Sequence, residues 1–282
     1  MDVRTVVIAL IVGIIQGVFE WLPISSEGNI TIALTLLEGF SNTDAVTFAL
    51  FLHAGTAVSA TAYYRDELEQ VARSLPDWRP RRAFGDSTAE LSYLGIATLM
   101  TGIVGLPAYY LLGEVITGIQ GGVFIALVGL LLIITGVLQH VSGDLSLGDR
   151  DQPDMTDAVL VGALQGLAVL PGVSRSGVTA SALLFRSHDG PSAFRLSFLL
   201  SIPAALGGTA LALVEAGGVP AISPGGALIA LAMSAIVGYL TIDALMRVVE
   251  RISFWKICLG LGGLAMLGGG LLFVAQGIGT AA

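Results

Sequence analysis

Two short segments hold most of the residues in this chain that are equipped for chemistry. The first runs Gln16-x-x-x-Glu20 and then Pro23-Ile24-Ser25-Ser26-Glu27-Gly28-Asn29; the second is Pro171-Gly172-Val173-Ser174-Arg175-Ser176-Gly177-Val178-Thr179. Gln16 and Glu20, four apart, share one helix face. That helix ends at Trp21-Leu22-Pro23, because the residue before proline avoids the α region, so Glu20 is delivered to a turn. Ser25 and Ser174 fall where a new helix begins, where hydroxyls cap free backbone N–H groups, while Gly28 and Gly177 let backbones approach closely. A helix N-terminus attracts phosphate, and Arg175 supplies a permanently charged fork suited to bidentate phosphate binding. Together these residue types point to a phosphate, with a carboxylate and a serine beside it.

Each residue also has a structural use. Serine and glycine at turns cap and pack, and Glu20 and Arg175 can simply neutralise each other. Gln16 and Gln165 can hydrogen-bond between helices, the one role given to Gln165. His53, mid-span in ALFLHAGT, is a hydrogen-bonded core histidine or a pocket residue, and the sequence does not choose. Asp243 and Arg247, at helical i, i+4 spacing, are read as a structural pair.

The elements that position these groups belong to a membrane protein. Of 282 residues 54% are hydrophobic and 12% charged, and the mean hydropathy is +0.84, outside the soluble range. Bilayer-length apolar runs cover Thr43 to Tyr64, Glu90 to Leu112, Gly118 to Gln139, Pro191 to Val214, Gly225 to Met246 and Phe254 to Gly277. Two further runs, Val3 to Glu38 and Asp157 to Phe185, are interrupted by the two polar segments. No small-residue cleavage site follows TVVIALIVGI, which is therefore read as retained structure. Ser142 to Asp157, with five aspartates against Arg150, reads as a solvated loop. A lone Cys258, distant from any histidine, gives neither a disulfide nor a zinc cluster. A net charge of −8 and pI near 4.7 argue against a nucleic-acid partner. The acidic balance, with twelve Arg to one Lys, would suit a high-salt cytoplasm.

The second half of the chain repeats the first. VGIIQG at Val12 to Gly17 matches VGALQG at Val161 to Gly166 at a shift of 149, which also pairs Ser25 with Ser174 and Gly28 with Gly177. The basic residues then decide whether the interrupted segments cross the membrane. If both are re-entrant hairpins, Arg65, Arg73, Arg79, Arg81, Arg82, Arg150, Arg186, Arg195, Arg247, Arg251 and Lys256 fall on one face and only Arg4 on the other. If both cross, these twelve cations split seven against five, against the cytoplasmic excess of Lys and Arg. The expected fold is all-α integral membrane, an inverted-topology repeat in which each half is a re-entrant helical hairpin plus three transmembrane helices. It forms a single membrane domain over 1–282: repeat 1 at about 3–139, an acidic cytoplasmic loop at about 140–156 and repeat 2 at about 157–277. Both termini then lie outside and the two hairpin tips meet near the midplane, surrounded by protein or a water-filled cavity.

QGVFEWLPISSEGN, FLHAGT, LPGVSRSGVT and SFLLSIPAALGGTAL, in this order, resemble the corresponding stretches of the undecaprenyl-diphosphate phosphatase (bacitracin-resistance protein) family over nearly the whole chain. The resemblance implies a membrane enzyme of the plasma membrane that removes the terminal phosphate of a long-chain polyprenyl diphosphate. It implies a divalent metal, Mg²⁺ or Ca²⁺, and a site opening to the outer face. Carried over by position, Glu20 matches the essential acid, Ser26 the serine proposed as nucleophile, Arg175 the phosphate-binding arginine, and Ser174, Ser176 and Thr179 its hydroxyl neighbours. Gln16 matches a position where the family carries Glu or Gln. One departure is plain: where the common bacterial pattern after the two serines is T-G-H, this chain has Glu27-Gly28-Asn29. Asn29 neither titrates nor attacks, which moves the expected nucleophile to Ser26.

The expected catalytic residues are thus Glu20, Ser26 and Arg175. Substrate binding is expected from Ser25, Asn29, Gly172, Ser174, Ser176 and Thr179, metal binding from Gln16 and Glu20, and Glu27 and His53 are pocket candidates. The expected partners are the polyprenyl diphosphate, the membrane and a second copy in a homodimer. The rival reading is a polyprenyl-phosphate flippase or anion transporter using the same midplane site, since inverted repeats with broken helices also build carriers.

Overall fold

The computed structural model describes residues 3–38, 40–85, 87–118, 122–145, 149–219, 223–249 and 254–279. Arg251, counted above among the cations, and residues 146–148 of the acidic loop lie outside them. The described chain is helical, and the one extended pairing among its residues is a bridge between Arg150 and His188. The helices are α1 (Val3–Phe19), α2 (Ser26–Glu38), α3 (Asn42–Tyr63), α4 (Arg65–Arg73), α5 (Ala89–Gly118), α6 (Gly122–Leu145), α7 (Met155–Leu167), α8 (Arg175–Phe185), α9 (Gly190–Glu215), α10 (Pro224–Val249) and α11 (Phe254–Gly279). Six of them, α3, α5, α6, α9, α10 and α11, are long and apolar enough to cross a membrane, and the protein is a multi-pass membrane protein. Their outer faces agree: Leu99, Ile103 and Leu111 on α5 and Leu264, Leu267 and Leu271 on α11 are all more than half exposed, a surface that lipid covers and water does not.

The elements around the two polar segments are shorter. α1 and α2 have 17 and 13 residues, and α7 and α8 have 13 and 11. At 1.5 Å per residue the shortest of these reaches only about 17 Å, well under the thickness of the hydrocarbon core. Leu170-Pro171 breaks the second run as Leu22-Pro23 breaks the first.

Packing between helices follows the glycines. A Cβ on Gly13 would sit 2.5 Å from Ala230 O and one on Gly17 2.8 Å from Gly238 N, so α1 presses backbone to backbone on α10. On α7, a Cβ on Gly162 would sit 2.4 Å from Ala97 O and one on Gly166 2.8 Å from Gly105 N, the same approach made to α5. These four glycines belong to the repeated VGxxQG segments. α3 packs on α9 and α6 on α11, the latter with Gly129 against Gly262 and Gly122 against Gly269.

One end of the bundle is polar. α4 and two 3-10 turns, Leu75–Asp77 and Pro80–Arg82, connect α3 to α5 there, with Trp78 Nε1 donating to Ser92 Oγ at 2.9 Å. Arg195 on α9 donates to Glu90 on α5 at 2.6 Å, and Arg247 pairs with Asp243, as its i, i+4 spacing suggests. Beside them, Arg150 and Arg186 converge on Asp154 and Asp157, and the fully buried His188 lies 3.0 Å from Asp157 Oδ2. Asp154 and Asp157 also form a capping box that starts α7. Part of the acidic stretch is thus folded into an ion-paired latch rather than left as a solvated loop. Burial opposes ionisation of Asp157, but bonds from His188, Arg186 and the Asp154 N–H outweigh it and hold the carboxyl below the usual range.

Candidate active site

The two breaks meet. A Cβ on Gly28 would lie 2.7 Å from the backbone nitrogen of Gly172, and Ser176 Oγ donates to Leu22 O at 3.3 Å. Gly172 itself has φ +101° and lies against Val128 O of α6, a position closed to any side chain. The first break is pinned from several helices. Trp21, fully buried, donates to Gly238 O on α10 at 3.1 Å and meets Phe198 of α9 edge-on at 5.6 Å. The Pro23 carbonyl accepts from Gln139 Nε2 on α6 and from Cys258 Sγ on α11 at 3.1 Å. Among the described residues the sole cysteine thus serves as a donor to a carbonyl freed by the break.

Both serines expected to cap do so: Ser25 Oγ accepts from Gly28 N at 3.2 Å and Ser174 Oγ from Gly177 N at 3.1 Å. Ser25 adopts φ +58°, a strained backbone for a residue with a side chain, costing about 1–2 kcal/mol. Strain of this kind persists only where surrounding contacts over-determine it. Asn29 supplies two, its Nδ2 donating to Ile24 O and Ser25 O at 2.9 Å each.

Glu20 stands at the centre. Its Oε2 accepts from Gln16 Nε2 at 2.9 Å and Ser26 Oγ at 3.0 Å, and lies 3.3 Å from His53 Nε2. Its Oε1 pairs with the Arg175 guanidinium across the two breaks. Arg175 also donates to Ser197 O at 3.3 Å. His53 Nδ1 lies 2.9 Å from Ala49 O; a carbonyl only accepts, so Nδ1 carries the hydrogen there. His53 thus packs within α3 and also reaches Glu20 and the cavity.

A cavity of about 300 Å³ opens beside this cluster, at the lower end of the range for small-molecule sites. Glu20, Ser25, Ser26, Glu27, His53, Ser174, Arg175 and Ser176 line its polar end, and α5 and α9 contribute an apolar wall that includes Gly102, Leu106, Gly207 and Leu211. Other expected site residues lie behind the wall. Asn29 spends its amide on the break, and Thr179 Oγ1 donates to the backbone Arg175 O at 2.8 Å and bonds Ser197 Oγ at 2.6 Å. Gly172 shapes the break, and Gln16 is fully buried behind Glu20. Gln165 bonds Thr101 of α5 at 3.0 Å, the interhelical role expected of it, and also lines the cavity. Sequence reasoning missed Ser201, Thr98 and Thr101 on the wall and Ser197 behind Arg175; Ser197 and Ser201 sit within SFLLSIPAALGGTAL, whose hydroxyl spacing was the available signal.

Donors crowd Glu20: three polar groups face Oε2, and a guanidinium holds Oε1. Among the described residues no three acidic, histidine or cysteine side chains are grouped as a ready metal cage. Other oxygens are unsatisfied: among the described residues Gln16 Oε1, Glu27 Oε1 and Gln165 Oε1 are buried with no hydrogen-bond partner, and Glu27 and Gln165 line the cavity. Oxygen donors of this kind suit a hard divalent cation that takes its remaining ligands from phosphate and water.

Comparison with known proteins identifies the family of the chain. A family model described as bacitracin resistance protein BacA matches residues 9–264. The chain is 54% identical over 264 residues to an undecaprenyl-diphosphatase of Haloarcula marismortui, covering 94% of this chain and 97% of that protein. It is 39% identical to the protein of that name from Methanococcoides burtonii, over 92% of this chain and 96% of that one. It is 38% identical to that of Methanopyrus kandleri, over 92% and 94%. With its two polar breaks and nearly all its spans inside the matched range, the chain belongs to the bacitracin resistance protein BacA family.

Proposed function

We propose that this protein hydrolyses a long-chain polyprenyl diphosphate of the undecaprenyl type to the monophosphate and inorganic phosphate, recycling a lipid carrier. The observation that carries the reading is Ser26 hydrogen-bonded to Glu20, with Arg175 opposite, at the polar end of a cavity whose far wall is apolar. The lipid tail lies along α5 and α9 and the diphosphate reaches the breaks. Arg175, already held by Ser197 O, turns one face of its fork to the terminal phosphate, and the N-terminus of α8 adds its free N–H groups. Glu20 accepts the Ser26 proton as Oγ attacks the terminal phosphorus; the bond to the bridging oxygen breaks and the polyprenyl monophosphate leaves. Glu20 passes that proton to the departing monophosphate, then takes a proton from the attacking water and returns it to Ser26 Oγ as the P–Oγ bond breaks and inorganic phosphate leaves. Positioning and charge stabilisation carry most of such a transfer. A divalent cation, Mg²⁺ or Ca²⁺, belongs to this reading and supplies positive charge beside the phosphate oxygens.

The same reading makes the protein one membrane domain of two inverted repeats, each a re-entrant hairpin and three spans. In support, α1 meets α10 through Gly13 and Gly17 as α7 meets α5 through Gly162 and Gly166, while the paired elements α3 with α9 and α6 with α11 pack on each other. The short arms of α1, α2, α7 and α8 favour hairpins over crossings. The basic residues of α4, the 3-10 turns and the latch gather at the end where α5 and α9 begin, which makes that end cytoplasmic in the plasma membrane. Both termini and the mouth of the site then face outward. A homodimer belongs to the same reading and is tested by mass in detergent.

Detergent-solubilised protein given polyprenyl diphosphate and Mg²⁺ or Ca²⁺ should release phosphate, Arg175→Ala should abolish release, and a phosphoserine at Ser26 should be trapped at short times. Absence of release by the wild-type protein, together with lipid-phosphate movement in vesicles, would reverse the ranking in favour of a flippase or anion transporter.

A further inference from the structure

We infer that Glu27 is the carboxylate through which this protein holds its divalent cation, bridging it to the diphosphate of the substrate; the inference rests on the phosphatase reading above. Glu27 lines the cavity, is only 6% exposed, and its Oε1 meets no hydrogen-bond donor among the described residues. A buried carboxylate oxygen without a donor is costly unless a proton or a cation sits against it.

The charge of the cavity distinguishes the two. Its charged or ionisable lining consists of Glu20, Glu27, Arg175 and His53. Glu20 is paired with Arg175 and touches His53, so the fixed positive charge is already spent before substrate arrives. A diphosphate adds two or more negative charges to a site that is neutral at best. Protonating Glu27 would remove one negative charge and leave the phosphate oxygens uncompensated. A divalent cation between Glu27 and those oxygens offsets both, and Mg²⁺ in particular is commonly bound by one or two carboxylates plus substrate phosphates. Glu20 is the weaker candidate, because an arriving cation would compete with three donors at Oε2 and be repelled by the guanidinium at Oε1.

The test measures binding rather than turnover. Purified protein is titrated with Mn²⁺ in the presence of methylenediphosphonate, a non-hydrolysable diphosphate, and free Mn²⁺ is followed by electron paramagnetic resonance. Wild-type protein should bind Mn²⁺ more tightly with the analogue than without. Glu27→Gln should lose at least tenfold of that affinity, and Glu27→Asp should recover part of it; elution volume and melting temperature verify that each variant is folded. Unchanged Mn²⁺ affinity in folded Glu27→Gln overturns the assignment and leaves Glu27 as a proton-bearing group. Loss in Glu20→Gln with retention in Glu27→Gln also overturns it and returns the metal to Glu20. If wild-type protein shows Glu27-dependent binding yet releases no phosphate from polyprenyl diphosphates, the cation site stands and the phosphatase reading fails.

Discussion

Glu20→Gln preserves the shape of the central side chain and removes its charge. The carboxylate now accepts from Gln16 and Ser26, adjoins His53 and pairs with Arg175. A glutamine keeps one acceptor oxygen, but its NH₂ must face either the guanidinium or the cluster of donors, and neither accepts a hydrogen bond. Loss of a general base typically costs 10² to 10⁴ in rate, or about 3–5 kcal/mol in the barrier. Separately, Arg175, whose side chain is 16% exposed, loses its anionic partner, and breaking a buried pair costs about 3–5 kcal/mol of stability. The two effects are of one size, so turnover and melting temperature must be read together. Phosphate release from farnesyl diphosphate in detergent, at saturating substrate, should show kcat down at least a hundredfold. KM should hold or fall, because the freed guanidinium is available to phosphate. Methylenediphosphonate should raise the melting temperature of the variant more than that of the wild type, since the analogue replaces the missing anion. A kcat within threefold of wild type, or a raised KM with kcat intact, would refute the role of Glu20 as base.

Other consequences follow from packing and charge. Gly207 lines the cavity and a Cβ there meets nothing within 4 Å, so Gly207→Leu should fold normally yet raise KM for long-chain diphosphates about tenfold or more, as its side chain, worth roughly 1.5–3 kcal/mol of apolar contact, occupies the tail's place; equal kinetics with long and short chains would contradict the tail path. Gly17→Ala and Gly166→Ala each drive a methyl to 2.8 Å from a facing backbone nitrogen and should each cost about 1–3 kcal/mol, a matched loss measured by thermal melts in detergent. Asp157→Asn should cost roughly 2–3 kcal/mol, less than a fully buried pair because the Arg150 and Arg186 side chains remain 33% exposed. Because the Asp157 carboxyl is held below its usual range, its contribution is fully present above about pH 4 and fades as pH falls from there through the depressed value; the melting temperature of wild type, but not of Asp157→Asn, should lose this component on acidification.

Much of the site was legible because its residue types announce themselves in a membrane chain. Glu20 and Arg175 are charges inside apolar runs, and such charges need partners; the structure pairs them with each other. Ser25 and Ser174 precede helices after proline-containing breaks, and both cap. The glycines of VGIIQG and VGALQG mark where helices touch at backbone distance. What escaped was where individual side chains turn once the breaks and helices are packed. The sequence places Asn29 beside Ser26 but does not show that its amide turns to the carbonyls of Ile24 and Ser25. Thr179 sits one turn into α8, where its hydroxyl bonds the Arg175 carbonyl and Ser197 Oγ and does not line the cavity. The acidic stretch read as solvated, because nothing local shows that Arg186 and His188 return to Asp157. Cys258 reads as inert, since only the tertiary fold brings it to the Pro23 carbonyl.

The sequence by itself determined that this is an all-helical membrane protein with two polar, proline-containing breaks. Hydropathy, proline and hydroxyl placement, and the 149-residue repeat shift act over a few turns of helix and need no partner. Only the tertiary structure decided that the breaks touch, that Glu20 is already filled by four neighbours and that Glu27 is left with a bare oxygen. The physical reason is that hydrogen-bond saturation in a low-dielectric interior depends on every donor within reach, and most donors around these carboxylates come from other helices.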